Sequence, residues 1–200
     1  MTESVYPIFT IGYATLTIER FIELLHLYHI EAVADVRSQL YSRYTPEFTH
    51  DSLKSTLSNA GIQYVFLGKE LGARRDEPEC YVDGKVRYDL VVKTEAFKEG
   101  ISRLQEGRTK YRIALLCAEK DPLTCHRTIL VSRHLSEQGI EILHILHDGT
   151  LESQEQLEQR LLRIHGLSQE ELFEDETARL SRIYEIQADK LAYVKEGSYE

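Results

Sequence analysis

The sequence predicts a three-layer α/β sandwich with a mainly parallel five-stranded sheet and a C-terminal α-helical extension. Three observations carry this. Short β-branched or apolar runs alternate with stretches of helical period as far as Gly149, the fourth run is apolar throughout, and residues 151–200 show helical periodicity without a strand signal. The division is an α/β unit over residues 1–150, Rossmann-like in its alternation, and a helical extension over residues 151–200.

The first strand, Tyr6 to Tyr13, passes through Ile8, Phe9, Thr10 and Ile11. Thr17 is placed to cap a helix whose apolar residues Phe21, Leu24, Leu25 and Tyr28 recur at three and four. A second strand, Ala32 to Arg37, follows. Residues 38–49 are polar and aromatic with no consistent period, which predicts a long loop. A helix from Asp51 to Ala60 is stopped by Gly61. A third strand, Gln63 to Leu67, runs into an irregular segment from Gly68 to Lys85, and Thr94 to Glu106 is helical with Phe97, Ile101 and Leu104 on one face. Tyr111 to Cys117 is the near-continuous apolar run, so it belongs in the centre of the sheet. A loop, Ala118 to Thr124, leads to a helix ending near Gln138, with Gly139 as its stop, and Glu141 to Leu146 is the fifth strand. In the extension, Leu157, Leu161 and Ile164 mark one helix. Leu172, Leu180, Ile183, Tyr184 and Leu191 mark a longer one.

Two hundred residues, 42% hydrophobic and 28% charged, suffice for one substantial core and exclude disorder or a disulfide-stapled miniature. The formal charge of -9 excludes a generic nucleic-acid coater, whose affinity comes from a basic surface. Residues 151–200 carry 12 acidic against 6 basic side chains, so two thirds of that charge lies in the extension. Three cysteines, Cys80, Cys117 and Cys125, with no basic and apolar leader ahead of them, point to free thiols in a reducing cytoplasm. No apolar run approaches the roughly 18 residues of a membrane span, so no membrane partner is expected.

Ligands of parallel α/β sheets bind beyond the carboxyl ends of the strands. Those ends run into Gly12-Tyr13, Asp35-Val36-Arg37, Gly68-Lys69 with Arg74-Arg75, Cys117-Ala118-Glu119 with Cys125-His126-Arg127, and His147-Asp148. Arg37, Arg43, Arg74, Arg75 and Arg127 would bring several guanidinium groups to one rim, suited to an anionic small molecule or a nucleic-acid end through bidentate hydrogen bonds. Glu119 is a candidate general base. Asp35 is a candidate catalytic carboxylate whose plainer role is to pair Arg37. Cys125, beside His126 near a helix start, is a candidate nucleophile or redox thiol, although Asp121 and Pro122 would also suit an earlier start, leaving Cys125 in the first turns. Cys117 reads as a core residue or a second reactive thiol. Zinc would need further Cys or His ligands, and the spacing resembles no closed structural site, so no metal is assigned. The residues identify no cofactor. Tyr41, Tyr44 and Phe48, interleaved with Arg37 and Arg43, suit either stacking on bases or a small core under the loop.

The ordered set Thr10-Ile11-Gly12-Tyr13, Asp35-Val36-Arg37-Ser38, Ser42-Arg43-Tyr44-Thr45-Pro46-Glu47-Phe48, Leu67-Gly68, Leu71-Gly72-Ala73-Arg74-Arg75, Leu115-Leu116-Cys117-Ala118-Glu119 and Cys125-His126-Arg127 resembles the domain-of-unknown-function 488 family across about residues 8 to 149. The resemblance implies an α/β domain with these residues along one rim and no established activity. Tyr13-Ala14 stands where the family often has His-Ser, and Ala73 replaces a family glycine. A looser likeness to rhodanese-like domains rests on Asp35-Val36-Arg37 and the late cysteine. Three functions stay open: an enzyme with an anion pocket, a non-catalytic nucleic-acid or protein binding module, and cysteine-dependent sulfur or redox transfer. The extension is a candidate homodimer or partner contact.

Overall fold

A computed structural model describes residues 5–41, 44–166 and 175–195. Arg43 and Leu172 lie outside the described residues. In chain order the elements are β1 (Ile8–Gly12), α1 (Ile18–Leu27), β2 (Ala32–Asp35), α2 (His50–Asn59), β3 (Gln63–Phe66), α3 (Gly68–Leu71), the hairpin strands β4 (Tyr81–Val82) and β5 (Lys85–Val86), α4 (Tyr88–Val91), α5 (Glu95–Gly107), β6 (Ile113–Cys117), α6 (Arg133–Ser136), β7 (Ile142–Ile145), β8 (Leu151–Ser153), α7 (Gln154–Ile164) and α8 (Glu176–Leu191).

The local signals act as their chemistry predicts. The Thr17 hydroxyl accepts the Arg20 amide at 3.2 Å and starts α1. Gly61 and Gly139, at φ of 74° and 78°, take the left-handed conformation that ends a helix.

Among the described residues the main sheet has six strands, in the order β3-β2-β6-β1-β7-β8. The first five are the expected parallel strands, and β6 is central, flanked by β2 and β1 and buried throughout. The sixth corrects the sequence reading. Leu151–Ser153 pairs antiparallel with β7 after a turn closed by Gly149 at φ 91°, and three residues are too few to show a period. The order of the five parallel strands, 3-2-4-1-5, also departs from the dinucleotide-binding order 3-2-1-4-5-6, because β6 inserts beside β1. The Rossmann-like expectation therefore holds for the alternation of elements and not for their topology.

Two apolar clusters cover the two faces of the sheet. Phe21, Leu24 and Leu25 of α1 and Leu53 and Leu57 of α2 pack with Phe9, Ile11, Val33, Ala114 and Leu116 on one face. On the other, α5 packs with the helical segment after β6 and with Leu157, Leu161, Leu162, Ile183 and Tyr184 of the extension, against Ile8, Ala34, Leu115 and Cys117. Helices that follow the neighbouring strands β1 and β6 thus leave on opposite faces. The crevice between the carboxyl ends of these two strands, where Gly12 stands opposite Cys117, is the switch point of the sheet.

Among the described residues of the extension, Leu157, Leu161, Leu162, Ile183 and Tyr184 are buried in the core, whereas Ile164 and Ile186 are exposed. Among the described residues no helix is long and apolar enough to cross a membrane.

Candidate active site

The segment after β6 builds the site. Asp121 caps a short 3-10 turn over Pro122–Thr124, accepting the Leu123 amide at 3.0 Å, and Cys125 follows in extended conformation. A π-helical stretch then runs over Arg127–Ser132, all six residues buried, into α6. The helix expected after the loop therefore begins just past Cys125, and the earlier start at Asp121 and Pro122 is only a separate 3-10 turn. Such π turns accompany functional sites. The carbonyl of Cys125 accepts the Thr128 and Ile129 amides, and its sulfur accepts the Arg127 amide at 3.4 Å, so the thiol lies at a helix amino terminus.

Four sequence candidates converge here. One carboxylate oxygen of Glu119 is 3.0 Å from the Cys117 sulfur and 2.9 Å from the Cys125 sulfur. His126 Nδ1 is 3.6 Å from the Cys117 sulfur. Its Nε2 is 2.9 Å from the Val36 carbonyl, and since a carbonyl only accepts, Nε2 carries a proton and Nδ1 turns to the thiols. Both cysteines and His126 are buried, whereas Glu119 is an exposed residue whose carboxylate is partly buried against the sulfurs, so the cluster comes nearest to solvent at Glu119.

The titration of these groups is displaced accordingly. Burial pushes the Cys117 thiol well up, and its hydrogen bond with Cys125 pushes it further. Burial acts in the same sense on Cys125, but the hydrogen bond from Cys117 and the charges of Arg127 and His126 bring it well below an ordinary thiol. Burial, then the charge of Cys125, raises Glu119.

Gly12 and Arg127 hold the loop in place. A Cβ built on Gly12 would fall on the Glu119 carbonyl, so only glycine lets β1 approach this closely. Arg127 donates from Nη1 to that same carbonyl at 2.7 Å and from Nε to Thr10 at 3.4 Å.

The other arginines are committed elsewhere. Arg37 and Asp35 form a buried ion pair, and Asp35 accepts from Arg37 Nε at 2.9 Å, Arg37 Nη2 at 2.6 Å, the Arg37 amide at 3.1 Å and the Tyr64 hydroxyl at 2.8 Å. Burial alone would lower the Arg37 pKa, and the hydrogen bonds and charge of Asp35 reverse this and raise it. Arg37 also bonds the Phe48 carbonyl and lies over the Tyr13 ring, which stacks on Phe48. Phe48 is thus core, while Tyr41 and Tyr44 are exposed. Arg75 is spent on Glu77 and on the carbonyls of Lys69 and Glu70, and Arg74 stacks on Tyr193. Arg37, Arg74, Arg75 and Arg127 thus each brace a neighbouring part of the protein, and Arg43 lies outside the described residues.

The sequence reading passed over Tyr88 and His144, and placed His147 on the rim without a role. The Tyr88 hydroxyl is buried without a hydrogen-bond partner; burial, then the charges of Cys125, Cys117 and Glu119, raises its pKa. His144, deep in β7, bonds Thr10 and Gln154 and is pushed down to about 3, first by burial and then by Arg127. His147 bonds the Gly12 carbonyl at 2.7 Å. A tyrosine or histidine in an apolar run gives no sign in sequence of where its polar atom points.

The extension braces the site from behind. Arg160 of α7 holds Asp121 through both carboxylate oxygens at 2.9 and 3.0 Å and also holds Glu152. These groups are partly exposed, so Arg160→Ala is expected to lower stability by only about 1 kcal/mol. Its clearer effect is faster hydrogen exchange at the Leu123 amide; unchanged exchange there would refute the bracing role.

Fold and site together define an α/β protein with a buried cysteine-histidine cluster opening through one carboxylate at the switch point of its sheet. The family described as domain of unknown function DUF488 matches residues 17–134, and the chain belongs to it. Among curated proteins and among solved structures, none matches this chain.

Proposed function

We propose that this protein is an enzyme whose chemistry runs at the Glu119 mouth of the Cys117–Cys125–His126 cluster. The observation that supports it most is the convergence of four reactive side chains at the switch point, three buried and one reaching solvent. A core at this position would be filled by apolar groups at lower cost. In this reading Glu119 is the catalytic residue that touches substrate and takes or delivers its proton. The two thiols, only 3% and 1% exposed, stand behind it. Because the guanidinium groups of Arg37, Arg75 and Arg127 serve protein acceptors, the ligand is recognised at this mouth and not by an arginine clamp. The extension acts as a scaffold, since Leu157, Leu161, Leu162, Ile183 and Tyr184 pack into the core.

The test is a thermal-shift screen against nucleotides, oligonucleotides, phosphorylated metabolites and thiosulfate, followed by turnover assays on each stabilising compound. Glu119→Gln should turn the substrate over about 10²–10⁴-fold more slowly with its fold intact by circular dichroism. A ligand that binds and is never transformed would instead make this a binding module. A Cys125 alkylated by iodoacetamide much faster than free cysteine would favour thiol transfer.

A further inference from the structure

We propose that Cys117, Cys125 and His126, with Glu119 closing the fourth position, bind one zinc-class divalent cation. The inference rests on the reading above that this cluster is the reacting centre, and it names the cofactor.

The donor atoms carry the argument. One sulfur from each cysteine, an imidazole nitrogen and a carboxylate oxygen all lie within 4.8 Å of one another. Around tetrahedral zinc, with bonds of about 2.0–2.3 Å, neighbouring donors stand about 3.3–3.8 Å apart. The separations of 2.9 and 3.0 Å fall just short of that range, 3.6 Å lies within it and 4.8 Å bounds the rest, so shifts of about an ångström at most would admit the ion. Two thiolates and an imidazole are also the set that selects zinc over magnesium or calcium.

The surroundings are those of a metal site. Metal-binding histidines commonly donate their second N–H to a backbone carbonyl, which fixes the ring, and His126 does so to Val36. The Arg127 amide points at the Cys125 sulfur. Arg127 spends its Nη1 on the Glu119 backbone carbonyl, which leaves the Glu119 carboxylate to the two sulfurs. The buried, unpartnered Tyr88 hydroxyl, within electrostatic reach of the same groups, could meet a water or substrate oxygen on the ion. Glu119, the exposed donor, is the ligand that such an oxygen displaces.

The experiment titrates cobalt(II) into the full chain after reduction and chelator treatment. The expected result is one equivalent bound, with the intense visible bands of a tetrahedral ion and a thiolate charge-transfer band, all displaced by zinc. Outer-shell changes alone typically cost 10–100-fold in affinity, so Cys117→Ser and Cys125→Ser should each lose about 100-fold or more, together with part of the charge-transfer band. The wild-type titration decides even if a variant does not fold. Uptake no greater than that of the Cys117→Ser, Cys125→Ser double variant would overturn the proposal. Metal uptake without any Glu119-dependent turnover would leave the ion in place as structural and remove the enzyme reading; turnover by a metal-free chain would do the reverse.

Discussion

Replacing Asp35 with alanine should cost about 3–5 kcal/mol of unfolding free energy, the expected penalty for stripping the partner from a buried charge. Arg37 is 5% exposed and its carboxylate partner 0%. The truncation takes the carboxylate from the guanidinium, leaving it beside the Phe48 carbonyl and Tyr13, and takes from the Tyr64 hydroxyl the acceptor it has here. The guanidinium cannot reach water without opening the layer that holds Tyr13 and Phe48. The cost measures a broken pair and not the worth of an intact one. An Asp35→Ala, Arg37→Met double variant should therefore recover much of the loss, since a buried pair exchanged for apolar groups of similar volume is often close to neutral. Urea denaturation of the three proteins checks this. If the double variant is as unstable as the single one, the damage comes from cavity formation and not from an orphaned charge.

That ion pair also shows what could be read from the sequence. Asp35 among Val33, Ala34 and Val36 at a strand end marked a carboxylate at the rim, and its pairing with Arg37 was one of two readings. The choice depended on where Phe48 and Tyr64 pack, and both are distant in the chain. The strands were legible because apolar runs and helical periods are local signals. β8 was not, being a three-residue strand held by pairing with β7. The members of the cluster were each visible, since Cys117 ends the apolar run and Glu119, Cys125 and His126 follow within nine residues. Their meeting was not visible. It requires the chain to reverse through the Asp121 turn and to begin its helix only after Cys125. The partners of the arginines were not visible for the opposite reason. A guanidinium at a strand end looks free in sequence, and only the fold shows the carbonyls of Glu119, Phe48 and Lys69 that occupy it.

Gly12→Ala should do the most damage for the smallest change. The added methyl would fall on the Glu119 carbonyl, an atom of the backbone that cannot rotate away. Either β1 and β6 separate where the Tyr13 amide bonds the Cys117 carbonyl at 3.1 Å, or the loop moves and gives up the Arg127 bond to Glu119. Overpacking of this kind costs roughly 1–3 kcal/mol, and the second route also pulls the carboxylate off both sulfurs. The protein should thus lose its cobalt spectrum and its turnover together while keeping most of its secondary structure. Gly107→Ala is the matched control, because its methyl meets only the flexible tip of Ile113 and is expected to leave both readouts near wild type. If Gly12→Ala binds cobalt and turns over like the wild type, the close approach of β1 to the loop is not what holds Glu119 over the cysteines, and the positioning of the site has to be sought in Arg127 and Asp121 alone.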